Sequence, residues 1–185
     1  MTLEERNRMS IVIISGGPGA GKTTLLNALA ERGYATYPEI PRQLIEQESL
    51  KQDGILPWHD LPAFAELCYD AMLVQKQSAQ SASMAFLDRA IPDICAYLLL
   101  GAELAVPAKY WSASSGYHPQ VLMCQPSAIT YQQDEVRPYT LEEAVHIHHG
   151  LVKTYSGLGY QCIDVPMASI EQRVAFVLTT LSVAG

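Results

Sequence analysis

Basic residues are in short supply. Twelve lysines and arginines face nineteen aspartates and glutamates in 185 residues, a formal charge of -7. A nucleic-acid backbone is therefore not expected as the main partner, because proteins that bind one carry a basic face. Cysteine is sparse as well. Cys68, Cys95, Cys124 and Cys162 lie far apart with no CxxC pair, so a zinc site has no framework. Four reduced, mostly buried thiols in a cytoplasmic protein are the expectation. Long apolar runs are missing too. The richest, "ICAYLLLGAELAVPA", is broken by Glu103 and Pro107 and is too short to span a bilayer. The opening "MTLEERNRMS" has no apolar region of the kind a signal peptide needs. No repeat or low-complexity block interrupts the chain. With 49% hydrophobic and 17% charged residues it can bury a core. One soluble domain over residues 1–185 is expected, with neither membrane nor nucleic acid as partner.

The pattern along the chain alternates between apolar β-rich runs and helical periodicity. "SIVIIS" (10–15) reads as a buried strand. "GKTTLLNALAERG" follows as a helix with Leu25, Leu26 and Leu29 on one face, stopped by Gly33. "YATYPE", "MAFLD", "PQVLMC" and "YQCIDV" read as four more strands. Between them lie helices. One starts at Pro41, one is capped by Asp60, and one is opened by the capping box Thr140-x-x-Glu143. Strands alternating with helices predict an α/β fold with a mostly parallel five-stranded sheet covered on both faces. Ligands on such sheets sit at the carboxyl ends of the strands, so the residues just after each strand carry the functional information.

After the first strand comes "ISGGPGAGKTT". Gly16-x-x-x-x-Gly21-Lys22-Thr23 matches the phosphate-loop pattern between a strand and a helix. The glycines let successive backbone N–H groups turn towards phosphate oxygens, and the helix N-terminus adds a positive dipole end. Gly16, Gly17, Pro18, Gly19, Ala20, Gly21, Lys22, Thr23 and Thr24 are the candidate nucleotide cradle. Lys22 is placed on the β- and γ-phosphates and Thr23 on Mg²⁺.

After the third strand stand Asp88 and Arg89. A carboxylate there suits Mg²⁺, and a guanidinium beside it can grip a phosphoryl oxygen bidentately. Asp93 reads as a helix cap. After the second strand stand Glu39 and Arg42. Glu39 can take an acceptor proton or orient a metal-bound water, and Arg42 can hold the acceptor or its phosphate; a surface ion pair between the two is the simpler alternative. Trp58 can stack on a substrate ring or cover core. Residues 125–140 are long for a connection and weakly patterned, which suggests a lid bearing Asp134 and Arg137, with Arg137 closing on the phosphates. The tract "HIHH" lacks two histidines one turn apart with a carboxylate partner, and His148 shares a face with Leu141, Ala144 and Leu151 that points inward or towards the cleft.

Together "GGPGAGKTTLLNALAERGY", "PEIPRQLIEQE", "LPWHDLPAFAE", "FLDRAIPD", "RPYTLEEA" and "YSGLGYQCIDVP" resemble, in order, the AAA-domain P-loop proteins grouped with the NadR kinase domain. That resemblance implies the sheet order 2-3-1-4-5 of nucleoside and nucleotide monophosphate kinases. It also implies ATP with Mg²⁺ and a small-molecule acceptor. Glu39 is similar to the carboxylate after strand two in deoxynucleoside kinases, and Asp88-Arg89 to their motif after strand three. Those kinases typically place a serine next, where this chain has Ala90. A GTP switch would carry DxxG and NKxD, and neither occurs. Two readings remain: an ATP-dependent kinase for a small acceptor, a nucleoside or a metabolite that can itself be phosphorylated, and an ATPase or nucleotide-dependent switch read by a protein partner.

Overall fold

The computed structural model describes residues 10–102, 104–128 and 139–182. Five strands form one sheet: β1 (Ile11–Gly16), β2 (Ala35–Tyr37), β3 (Ala85–Asp88), β4 (Gln120–Cys124) and β5 (Gln161–Asp164). The helices among the described residues are α1 (Lys22–Glu31), α2 (Ile40–Glu48), α3 (Leu61–Ala79), α4 (Ile91–Ala102), α5 (Ala108–Ala113), α6 (Leu141–Gly157) and α7 (Ile170–Ser182). The strand order is β2-β3-β1-β4-β5, as the family resemblance implied, and every pairing is parallel.

The register explains the composition of β1. It pairs with β3 on one side and β4 on the other, so both faces and both edges are covered and all six residues are buried. Alternate side chains then serve opposite faces. Val12 and Ile14 join Leu25 and Leu29 of α1 and Val174 and Val177 of α7. Ile11 and Ile13 join Leu151 and Tyr155 of α6 and Ala96 of α4. A third apolar cluster lies outside the sheet, where Phe64, Cys68 and Met72 of α3 meet Ile94, Cys95 and Leu98 of α4. Each such side chain, once buried, contributes about 1.5–3 kcal/mol against its exposed state.

Local signals set the boundaries. α1 ends in a left-handed Gly33 (φ 86°), with Gly33 N donating to Ala30 O and Tyr34 N to Leu29 O. Asp60 caps α3 by accepting from Ala63 N. The capping box of Thr140 and Glu143 opens α6. β2 is shorter than "YATYPE" suggests. Pro38 has no N–H for the ladder, and Glu39 is already the N-cap of α2. Among the described residues no helix is long and apolar enough to cross a membrane. Most of the expected lid, 129–138 with Asp134 and Arg137, lies outside the described residues.

Parallel pairing puts Gly16, Tyr37, Asp88, Cys124 and Asp164 at one edge of the sheet. Everything discussed below sits on or beyond that edge.

Candidate active site

The loop between β1 and α1 is built around glycine. Gly16 has φ 131°, and a Cβ there would fall 1.9 Å from Cys124 O of the neighbouring strand. Gly21 is the N-cap of α1 in the left-handed region (φ 71°, ψ 26°), and no side chain caps the helix. The first N–H groups of α1 are thus left to face the loop, the arrangement in which a helix end receives an anion. Lys22 is buried and bends back over the loop, donating to Gly16 O at 3.2 Å and Gly17 O at 2.9 Å. Thr23 Oγ1 donates to Asp88 Oδ2 at 3.4 Å, joining α1 to the end of β3. A hydroxyl and a carboxylate side by side at the mouth of the loop are oxygen donors of the type a hard divalent cation takes.

Arg89 is where the structure departs from the sequence reading. It is 1% exposed rather than at the cleft mouth, and its backbone is left-handed (φ 68°). A non-glycine residue rarely holds that conformation unless its surroundings enforce it. Here two carboxylates do so. Nε donates to Glu39 Oε1 at 2.6 Å and Nη1 to Asp93 Oδ1 at 3.1 Å. Two of its five N–H groups are thus committed to carboxylates rather than to a ligand at the cleft mouth. Burial opposes the guanidinium charge, but Tyr97, Glu39, Asp93 and Asp88 overcome it and hold its pKa well above the ordinary value. Nη2, with its two N–H groups, is buried with no hydrogen-bond partner among the described residues.

Nη2 belongs to a residue lining a cavity of about 630 Å³, a size typical of small-molecule sites. Glu39, Asp93, Tyr97 and Tyr139 line it with Arg89, and Ile45, Phe64 and Met72 form apolar wall. Trp58 also lines it while 58% exposed. Arg42 does not line it. Pro41 and Ile45, one turn apart on α2, face the cavity, and Arg42 is rotated about 100° from Pro41. Glu39 pairs across the fold with Arg89.

Asp93 is more than a cap. It accepts from Ala90 N at 2.9 Å, Ser15 Oγ at 2.6 Å and Tyr155 OH at 2.5 Å, besides Arg89. It thereby ties α4 to α6 and to the residue preceding Gly16. Burial and Asp93 together push the Tyr155 hydroxyl well above its usual pKa, so it stays a donor. Tyr155→Phe should lower stability by about 1.5–3 kcal/mol, the worth of a hydrogen bond to a charged group. A denaturant midpoint unchanged by that substitution would show the bond to be negligible.

His148 is buried beside the loop. Burial first, then His149 and Lys22, lower its pKa below the ordinary 6.5, and burial lowers that of His118 likewise. Depressed folded values mean that the unfolded chain binds the protons first. The stability these neutral rings contribute is full above 6.5 and is lost as pH falls through the folded values. The double variant His118→Gln, His148→Gln should show a smaller drop in melting temperature between pH 7.5 and 5.5. Among the described residues no three metal-ligating side chains cluster.

An AAA domain family model matches residues 11–173, a span that contains every described residue named above for the loop, the buried pair and the cavity. The chain belongs to the AAA domain family.

No match to a curated protein is found. This AAA domain is similar in structure to the NadR protein in complex with NR, at 17% identity and TM-score 0.69 over 96% of the chain and 52% of that protein. It thus spans about half of NadR. Deoxyadenosine kinase from M. mycoides is similar at 15% identity and TM-score 0.58, covering 94% of this chain and 98% of the other. Thymidylate kinase from Ehrlichia chaffeensis follows at 16% and 0.59, covering 93% and 99%. At these identities the likeness is one of fold: a P-loop kinase-like sheet and its helices.

Three residues of the AAA domain escaped the sequence reading. Tyr97 lies with its ring centroid 5.4 Å from Arg89 Cζ, and the i, i+4 spacing of Asp93 and Tyr97 after Arg89 would have indicated it. Tyr155 stands on the apolar face of α6, where a hydroxyl is a signal of a buried partner. Arg173 reaches from α7 to the loop, donating to Ala20 O at 3.4 Å and Cys124 Sγ at 3.1 Å. No local pattern in α7 marks that residue.

Proposed function

We propose that this protein is an ATP-dependent phosphotransferase acting on a small hydroxyl-bearing acceptor. The observation that carries the reading is the buried Arg89. It follows directly on Asp88, which meets Thr23, and it lines a cavity together with Glu39, its Nη2 having no hydrogen-bond partner among the described residues. The donor half and a second, acceptor-sized site therefore adjoin across two consecutive residues.

In this reading Gly16 to Thr24 hold the triphosphate of ATP. Lys22 leaves the Gly16 and Gly17 carbonyls for the β- and γ-phosphate oxygens. Thr23 and Asp88 would hold Mg²⁺, which supplies charge neutralisation when bound. The acceptor hydroxyl lies between Glu39, which takes its proton, and Arg89 Nη2, which orients its oxygen. Trp58 covers the acceptor. Residues 125–140 serve as the lid, with Arg137 stabilising charge in transfer. Asp88→Asn should lower turnover about a hundredfold while nucleotide affinity falls much less.

A panel of nucleosides and small hydroxyl metabolites incubated with ATP and Mg²⁺ tests the proposal. A phosphorylated product that accumulates with ADP is the expected result. ADP and free phosphate alone across the panel would favour the ATPase or switch reading.

A further inference from the structure

The charges around the acceptor cavity narrow what can enter it, on the assumption that the kinase reading above holds. Among the described residues the lining carries four carboxylates, Glu39, Asp93, Glu142 and Glu143, against a single guanidinium, Arg89. That guanidinium is already matched by Glu39 at 2.6 Å and Asp93 at 3.1 Å. Glu143 is ionised at neutral pH, since the Thr140 backbone N–H at 2.6 Å lowers its pKa. Arg42, the nearest arginine in the preceding helix, is not in the lining.

We infer that the acceptor is an unphosphorylated, ring-bearing hydroxyl compound of the nucleoside class, and that nucleoside monophosphates are rejected. A phosphomonoester brings a charge of about -1.5 to -2 and three acceptor oxygens. Sites for such groups offer several charge-assisted donors, commonly a bidentate arginine. Arg89 is the one guanidinium in the described lining, and two of its five N–H groups already go to Glu39 and Asp93, which leaves Nη2 to meet a hydroxyl oxygen. The walls suit the rest of such a molecule. Phe64, Ile94 and Leu98 supply apolar lining, and Tyr97 and Trp58 supply aromatic lining. The carboxylates thus act as an element of rejection as much as of recognition.

The test pairs each nucleoside with its own 5′-monophosphate. Phosphoryl transfer is read as kcat/KM with ATP and Mg²⁺, and binding without ATP is read as a shift in melting temperature. The nucleosides should be favoured at least a hundredfold and should raise the melting temperature where the monophosphates do not. Glu142→Lys, at an exposed position on the cavity rim, should cut that preference about tenfold or more by admitting the monophosphates. Equal or better transfer to monophosphates would overturn the inference and leave the kinase reading standing. ADP and free phosphate from every pair would overturn the kinase reading itself. In that case nucleoside-selective melting shifts would still support the charge argument, and their absence would end it.

Discussion

Replacing Lys22 by methionine is expected to cut phosphoryl transfer about a thousandfold. The substitution keeps most of the aliphatic stem and removes the ammonium, so the change read is one of charge. Lys22 is 5% exposed and donates to two carbonyls of its own loop. Such bonds hold the side chain over the place where phosphate oxygens would come, and they are exchanged at little cost. A cation in that position acts most strongly where charge shifts onto the leaving oxygens, so kcat falls along with ATP affinity. Arginine is not expected to rescue it. Its planar fork is larger and cannot serve as a compact point charge inside a loop whose glycines leave no room. Unchanged turnover in Lys22→Met, with the melting temperature also unchanged, would remove the loop from the chemistry.

Replacing Glu39 by glutamine is expected to lower kcat about a thousandfold, with the KM for ATP altered by less than about threefold. The carboxylate lies in the acceptor cavity, and Asp88, not Glu39, meets Thr23. Its loss should therefore spare the donor half. Glutamine still accepts from Arg89 Nε but withdraws a charge from a guanidinium that is 1% exposed, so stability falls too. The two effects separate in the kinetics. A variant that is less stable yet turns over normally at low temperature would make Glu39 a counterion only. One that stays folded and loses kcat while retaining the KM for ATP would place it with the acceptor.

What could be read from the chain beforehand follows from the range of the interactions. The loop from Gly16 to Thr24 was legible because its strand, its glycines, its lysine and its helix are contiguous, and local sterics decide each of them. The sheet order followed from the resemblance, and its parallel character from β-rich runs separated by helices. The caps at Asp60 and Thr140 were legible because capping is a matter of three residues. The Glu39–Arg89 pair spans 50 positions and was not legible. It depends on the left-handed backbone of Arg89, which turns the side chain in towards α2 and α4 instead of out of the cleft. Asp93 was half legible. Its capping contact with Ala90 is local, whereas those with Ser15 and Tyr155 close only when β1 and α6 pack against α4. Arg42 was misplaced because proximity to a strand end says nothing of rotation about the helix that follows.

The central claim is that a donor site and an acceptor site face each other across Asp88 and Arg89. It is tested most directly with a bisubstrate compound, adenosine joined through a chain of phosphates to the nucleoside turned over best. If the sites face each other, the compound occupies both at once. Its Kd should then lie at least about a hundredfold below that of ATP, and Glu39→Gln should erase much of that gain. A Kd no lower than that of ATP, whatever the length of the phosphate chain, would contradict the account.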